Sequence, residues 1–248
     1  MKDTVALVLA AGKGTRMYSD LAKVLHPICG RPMLSYTLIA LKELGFARVL
    51  VVVGHQAERI REVFAEAQVE WVLQYQQLGT AHAVQCALPY LTDHGGSVLI
   101  CCGDTPLLTA ETLRMFQIEH MSRGVDLSVL SMLLDEPGSY GRVLRDSGGQ
   151  VSAIIEAKDA SAQERTIREV NTGIYCASAD LLRAALPDVA NANAQREYYL
   201  TDLVQIAAGR GWNVQAVTAS DPTEFLGVNT EQELEAAEEI IVQRTQGH

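Results

Sequence analysis

The chain has 248 residues, of which 20 are basic and 30 acidic, for a formal net charge of −10; 48% are hydrophobic and 20% charged, as in ordinary soluble globular proteins. The acidic excess argues against broad nucleic-acid binding, which needs a basic face. Five cysteines without a C-x-x-C pair indicate neither a disulfide framework nor a zinc site, and no apolar run approaches the roughly 20 residues a membrane helix needs. Met1-Lys2-Asp3-Thr4 carries no signal-like leader, so the expectation is a cytoplasmic protein with neither nucleic acid nor membrane as a partner.

In chain order, residues 5–9 form an apolar run that reads as a strand covered on both faces. Ala10 and Ala11 are small, and Gly12 and Gly14 permit a sharp turn and close approach to a ligand. Lys13, Arg16 and Lys23 follow, against the single acid Asp20. A loop of bare amides with clustered cations suits a polyphosphate. The spacing is neither G-x-x-x-x-G-K-[ST] nor G-x-G-x-x-G, because Met17 takes the last place of the second pattern. On its glycines alone, the segment reads equally well as a tight βα turn with incidental cations.

Pro32 suits the first position of a helix whose Leu34, Leu38, Leu41 and Leu44 recur at helical spacing up to Gly45. Residues 49–53 read as a strand ended by Gly54-His55, 58–67 as a helix, 71–73 as a strand, 74–80 as a loop and 81–88 as a helix. A fourth strand, 98–102, is closed by Gly103-Asp104-Thr105-Pro106, and Thr109 opens a further helix. This alternation implies βαβ crossovers and a mostly parallel sheet. Ligands of such sheets gather beyond the carboxyl ends of the strands, so the loops after the first, third and fourth strands are expected to converge.

The second half changes texture. Residues 127–134, 169–175 and 214–217 read as strands, and 140–145 with 151–155 as a hairpin about Asp146-Ser147-Gly148-Gly149. Residues 197–208 read as a helix. These antiparallel pieces are expected to extend the same sheet and receive a second substrate. The tail from Thr230 is an acidic helix with an apolar stripe at Leu234, Ala237, Ile240 and Ile241, either packed as a closing element or connecting to something further. Six histidines, among them His82, His120 and His248, are dispersed and read as loop or surface residues for the most part.

The segment 9–17, followed by Lys23-Val24-Leu25, resembles the signature of the sugar-1-phosphate nucleotidylyltransferases. Further motifs occur in order: Gln74 with 77–83, Gly103-Asp104-Thr105-Pro106-Leu107, Tyr140-Gly141-Arg142, 155–160, Glu169-Val170-Asn171-Thr172-Gly173, 197–202 and Gly227-Val228-Asn229. Together they resemble the uridylyltransferase half of the bacterial bifunctional N-acetylglucosamine-1-phosphate uridylyltransferase/glucosamine-1-phosphate acetyltransferase family. The β-helical acetyltransferase half of that family has no counterpart in these motifs.

The resemblance implies a Rossmann-like, three-layer α/β nucleotidyltransferase fold over 1–229, with a mostly parallel sheet and an antiparallel sugar-binding sub-region, and a C-terminal helix over 230–248. It implies Mg²⁺-dependent transfer of UMP from UTP to N-acetylglucosamine 1-phosphate. The products would be pyrophosphate and UDP-N-acetylglucosamine, a precursor of peptidoglycan and lipopolysaccharide, with acetyl transfer supplied by another domain or protein. A different sugar 1-phosphate or NTP, or a non-catalytic nucleotide-sugar-binding regulator, are the alternatives. Matched to the family, Arg16 and Lys23 are catalytic cations. Leu9, Ala10, Ala11, Gly12, Gly14, Gln74, Gln77, Gly79, Thr80 and Gly103 hold the nucleotide. Gly141, Glu156, Asn171, Tyr199 and Thr201 hold the sugar, and Asp104 and Asn229 the metal. Asn229 before the tail helix is also a good N-cap, and one side-chain oxygen does not serve both roles comfortably, so a metal role predicts that Thr230 or a neighbour caps instead. The family commonly carries proline where Ala22 stands and an aromatic residue where Cys102 stands; alanine is expected to loosen the Lys23 segment and the thiol to alter one wall of the nucleotide site.

Overall fold

Along β1 (Thr4–Ala10), successive side chains enter two different buried layers, which is why the run has no polar break. Val5 and Leu7 face one layer, Ala6 and Val8 the other. Leu7 is fully buried, a gain of about 1.5–3 kcal/mol relative to leaving it in water. The computed structural model describes residues 3–246; Met1, Lys2, Gly247 and His248 lie outside the described residues.

Two-residue strands β2 (Pro27–Ile28) and β3 (Arg31–Pro32) form a small ribbon before α1 (Leu34–Glu43). There follow β4 (Val49–Val53), α2 (Ala57–Val63), β5 (Glu70–Leu73), α3 (Thr80–Ala87), β6 (Ser97–Cys102), α4 (Ala110–Arg123) and β7 (Leu127–Leu133). The remainder comprises β8 (Arg142–Arg145), β9 (Val151–Ile155), β10 (Glu169–Ser178), α5 (Ala179–Ala185), α6 (Asp202–Gly209), β11 (Val214–Thr218) and α7 (Glu231–Gln246).

The main sheet runs β11-β7-β10-β6-β1-β4-β5. Strand β1 pairs parallel with both β4 and β6, β4 with β5, and β11 with β7. Only β10 on this path runs against its neighbours, inserted between β6 and β7. The β8–β9 hairpin branches from β10 through a pairing of Val170 with Arg142. On one face α3, α5 and α6 bury Val84, Leu182 and Val204 against the sheet. On the other, α1, α2 and α4 bury Leu41, Ile60 and Phe116. The expected three-layer, mostly parallel α/β architecture is therefore present, with the antiparallel pieces at β8–β10.

Three local readings need correction. Pro32 does not begin α1; it pairs with Pro27 across the β2–β3 ribbon, and Met33 precedes the helix. The helix expected over 58–67 stops at Val63, since Phe64 leaves helical geometry. The helix expected over 197–208 begins only at Asp202, because the backbone of Tyr198 is engaged by the 78–81 loop: its N–H donates to the Leu78 carbonyl at 2.8 Å and its carbonyl accepts from Ala81 at 2.8 Å.

Candidate active site

The carboxyl ends of β1, β5 and β6 open onto a cavity of about 500 Å³. Its lining combines Leu9, Ala11, Gly12, Lys13 and Gly14 from the first loop, Gln74, Gln77, Gly79 and Thr80 from the loop after β5, and Cys102 and Asp104 from the end of β6. The loops expected to converge do so. Ala83 and Glu197 also contribute; both lie within motifs noted in the sequence, 77–83 and 197–202, but neither is given a site role there.

The glycines have different duties. Gly12 has no heavy atom within 4 Å of where a Cβ would stand, so its face is left to the cavity. Gly14, at φ +65°, lies so close to Lys23 that a Cβ would come within 2.6 Å of that side chain. Gly79, at φ +121°, would drive a Cβ to 2.5 Å from the Tyr198 carbonyl oxygen. The close approach that Gly79 permits is thus between two parts of the chain itself.

Gln74 is buried, and its side-chain nitrogen donates to the Gly79 carbonyl at 3.1 Å and lies 3.0 Å from Nδ1 of His82. Gln77 donates from its side chain to the Gln74 carbonyl at 2.9 Å and lies over Gly54, where a Cβ would meet it at 2.6 Å. His82, one of the six dispersed histidines and given no site role from the sequence, belongs to this network. Thr80 accepts the Leu200 N–H at 3.0 Å on its hydroxyl, joining the loop to the segment that carries Tyr199 and Thr201.

The charged centre gathers residues from three distant places. The Lys23 ammonium, nearly buried, is paired with Asp104 and donates to Oδ1 of Asn229 at 2.7 Å. Arg16 donates to the same Asn229 oxygen at 2.7 Å. Lys23 opens a 3₁₀ turn, Lys23–Leu25, whose preceding residue Ala22 is buried. The Ala22 N–H donates to the Gln56 side-chain oxygen at 3.2 Å, while the Gln56 amide donates to the Asp20 carbonyl. Alanine thus makes a tie that proline, lacking the N–H, cannot make, and this hydrogen bond opposes the expected loosening of the segment.

Asn229 does not cap α7. Thr230 does: its hydroxyl accepts the Glu233 N–H at 3.2 Å, and the Glu233 carboxylate accepts the N–H groups of Asn229 at 2.6 Å and Thr230 at 3.1 Å. This reciprocal capping box leaves Oδ1 of Asn229 to face the cations.

A second polar group lies beside the cavity. The Thr201 hydroxyl donates to Glu156 at 3.1 Å, and a Cβ on Gly141 would stand 3.4 Å from the same carboxylate. Burial raises the Glu156 carboxyl above the ordinary carboxylate range; the Thr201 hydrogen bond and Arg142 oppose the shift, and Asp202 and Asp159 add to it. The Asn171 N–H donates to the Gly141 carbonyl at 2.9 Å, and its side-chain oxygen accepts from the Gly173 N–H at 3.0 Å. The pairing of β10 with β7 shifts register between Asn171 and Ile174, and Gly173, at φ +85°, comes to the Cys102 side of the cavity, with Sγ 3.7 Å from the Gly173 carbonyl oxygen. Tyr199 is buried, which raises its phenol. Ala10 and Gly103 support the wall from behind: Ala10 is buried, and the Gly103 N–H donates to the Leu9 carbonyl at 2.9 Å.

The metal-binding reading can be tested against this geometry. Oxygens of Asp104 and Asn229 converge on one ammonium group, so a cation already stands between them. Hard oxygen donors aimed at a positive charge fit Mg²⁺, which commonly takes one or two protein ligands and completes its shell with phosphate and water. Among the described residues no group of three or more His, Cys, Asp and Glu could form a cage without such help. Nor, among them, is any helix long and apolar enough to cross a membrane.

The chain is similar to known proteins along nearly its whole length. The "Bifunctional protein GlmU" of Trichlorobacter lovleyi is 49% identical over 245 residues, covering 98% of this chain and 53% of that protein. The protein of the same name from Geobacillus thermodenitrificans is 47% identical over 239 residues, covering 96% and 52%. The chain therefore spans about half the length of the curated relatives it matches. A solved Bacillus anthracis structure assigned as a glucose-1-phosphate thymidylyltransferase, in complex with a sucrose, superposes with a TM-score of 0.76 over 96% of this chain and 94% of its own, at 18% identity, a likeness of fold. Residues 6–158, more than half of the chain and the part that contains the cavity's three loops, match the MobA-like NTP transferase domain, and the chain belongs to that family.

Proposed function

We propose that this chain transfers UMP from UTP to N-acetylglucosamine 1-phosphate, releasing pyrophosphate and forming UDP-N-acetylglucosamine. The observation that carries the reading is the meeting of Arg16, Lys23, Asp104 and Asn229 beside a cavity walled by the glycine loop and the 74–80 loop. Relatives at 45–49% identity, matched along nearly the whole of this chain, support the choice of reaction.

In this mechanism an oxygen of the sugar phosphate attacks the α-phosphorus of UTP in line with the departing pyrophosphate. Negative charge crowds the reacting centre, and fixed cations stabilise it without reorganisation. Arg16 and Lys23 are assigned to that task. Gly12 and Gly14 present backbone to the phosphates. Gln74 offers its side-chain oxygen to the base, its nitrogen being engaged by Gly79. Glu156, Asn171 and Gly141, with Thr201 and Tyr199, are assigned to the hexosamine, whose hydroxyl and acetamido groups suit a carboxylate and amides. Asp104 and Asn229 would hold Mg²⁺, which supplies charge neutralisation at the phosphate oxygens when bound.

Residues 1–229 are read as the transferase domain and 230–248 as its closing helix. Support comes from Leu234, Ala237 and Ile241 of α7, which pack with Ile28, Leu107 and Val228, and from Arg244, which donates to the Leu107 carbonyl at 2.7 Å. Acetyl transfer is assigned to another domain or protein.

The test is pyrophosphate release by the purified chain with Mg²⁺ and a panel of NTPs and sugar 1-phosphates. UTP with N-acetylglucosamine 1-phosphate is expected to be the best pair. A preference for glucose 1-phosphate or another NTP would redirect the assignment, and tight UDP-sugar binding without turnover across pH and metal would make the chain a regulator.

A further inference from the structure

Glu224 is a buried carboxylate that the mechanism above does not use. It lies in the 3₁₀ turn Pro222–Phe225 and turns toward the start of α4. One oxygen accepts the Thr109 N–H and the Thr109 hydroxyl, each at 2.9 Å; the other accepts the Thr112 hydroxyl at 2.9 Å. Burying a carboxylate is costly unless its oxygens are fully engaged, and here three donors from one helical turn engage them. The N-terminus of α4 adds a favourable dipole.

The position of this tie matters more than its strength. Thr109 stands five residues after Asp104, and Asn229 five residues after Glu224. The two five-residue arms are joined again at their other end, where the Val228 N–H donates to the Asp104 carbonyl at 3.1 Å. They form a braced pair, with Glu224 fixing one end and the Asp104–Asn229 oxygens delivered at the other. In between, Arg244 holds the Leu107 carbonyl.

We infer that Glu224 is a positioning residue for the divalent cation: through Thr109 and Thr112 it sets the spacing of the segments that carry Asp104 and Asn229. The inference rests on the reading of those two residues as the metal-holding pair. A displacement of either oxygen by a fraction of an ångström matters for Mg²⁺, which demands near-ideal geometry.

The experiment is UTP binding by calorimetry, without acceptor sugar phosphate, in EDTA and in Mg²⁺. The ratio of the two affinities measures the contribution of the cation. Glu224→Ala is expected to lower that ratio at least fivefold and leave affinity in EDTA within twofold of the unaltered chain. Glu224→Gln keeps one acceptor oxygen and places an amide donor beside the Thr112 hydroxyl, so it is expected to retain the ratio within twofold. Thr112→Val, a milder change for the case in which Glu224→Ala fails to fold, is expected to lower it two- to threefold. An undiminished ratio in Glu224→Ala, or in Thr112→Val where the first does not fold, overturns the inference. So does an equal loss of affinity in EDTA and Mg²⁺, which would make Glu224 a general support. Failure of the underlying reading is distinguishable: Asp104→Asn would then show the same ratio as the unaltered chain, or that chain would gain nothing from Mg²⁺.

Discussion

The backbone N–H of Ala22 donates to the side chain of Gln56 at 3.2 Å, tying the segment that carries Lys23 to the loop after β4. Ala22 has φ −53° and ψ 134°, values open to proline. Ala22→Pro would stiffen the unfolded chain, a gain of about 0.4–1 kcal/mol, and lose one hydrogen bond, a cost of about 0.5–1.5 kcal/mol. The two nearly cancel, so thermal stability is expected to change little. Gln56→Gly, which tolerates the left-handed backbone of that residue (φ +53°) while deleting its side chain, is expected to lower kcat several-fold. Combined with Ala22→Pro it is expected to cost less than the product of the two, as steady-state kinetics on the four proteins would reveal.

Lys23→Ala removes the ammonium from between Asp104 and Asn229. If Lys23 serves the reaction as proposed, kcat should fall by about 10²–10³, the scale seen for loss of one preorganised electrostatic group. Nucleotide affinity should fall much less. Rapid-quench measurement of UDP-sugar formation separates the two effects, and an unchanged rate would remove Lys23 from the chemistry.

Gly79→Ala places a methyl group 2.5 Å from the Tyr198 carbonyl oxygen on a backbone of positive φ. Both consequences are unfavourable, and a loss of about 2–3 kcal/mol is expected. The Tyr198 and Ala81 hydrogen bonds join the two walls of the cavity, so UTP affinity should weaken with stability. Denaturant unfolding and calorimetric titration report the two quantities. By contrast, Gly12→Ala meets no protein atom, and its effect should be confined to binding.

The raised carboxyl of Glu156 makes a signed prediction about pH. Its folded form holds a proton more tightly than the unfolded chain does, so stability declines as pH rises from the usual carboxylate range through the raised value. Glu156→Gln removes the burden of the buried charge. The variant is expected to unfold at a higher temperature than the unaltered chain at pH 8, with the advantage shrinking toward pH 4. In the proposed role it should also raise the sugar phosphate KM about tenfold at neutral pH. Melting curves across pH check the first expectation, and equal pH slopes for the two proteins would contradict it.

The strands were legible because an apolar run such as Val49–Val53 is covered on both faces and admits no polar residue. The glycine loop and the end of β6 were legible because such loops need small residues and leave the same edge of the sheet. What escaped was set by long-range partners. The 197–201 segment has a helical composition, yet its backbone is taken by Leu78 and Ala81. Helix α5 is only seven residues long and lies directly after β10, so its periodicity has no room to show. Glu224 resembles any surface acid until Thr109 and Thr112, over 100 positions away, are placed against it. Gln56 gave no signal, because its partner is a backbone N–H made available by an alanine at position 22.

The Lys23 ammonium that bridges Asp104 and Asn229 also bears on the order of arrival at the site. With Arg16 on the same asparagine oxygen, two positive side chains already converge on Asn229, and one of them is paired with the carboxylate of Asp104. On the proposed reading of Asp104 and Asn229 as the metal-holding pair, a bare dication would have to expel an ammonium ion from its counter-ion and then sit beside both displaced charges. A dication carried by a triphosphate brings the anion that receives Lys23 and Arg16 as they let go. If Asp104 and Asn229 hold the metal as proposed, the protein's own cations would disfavour free metal, and nucleotide and metal would be best admitted as one particle.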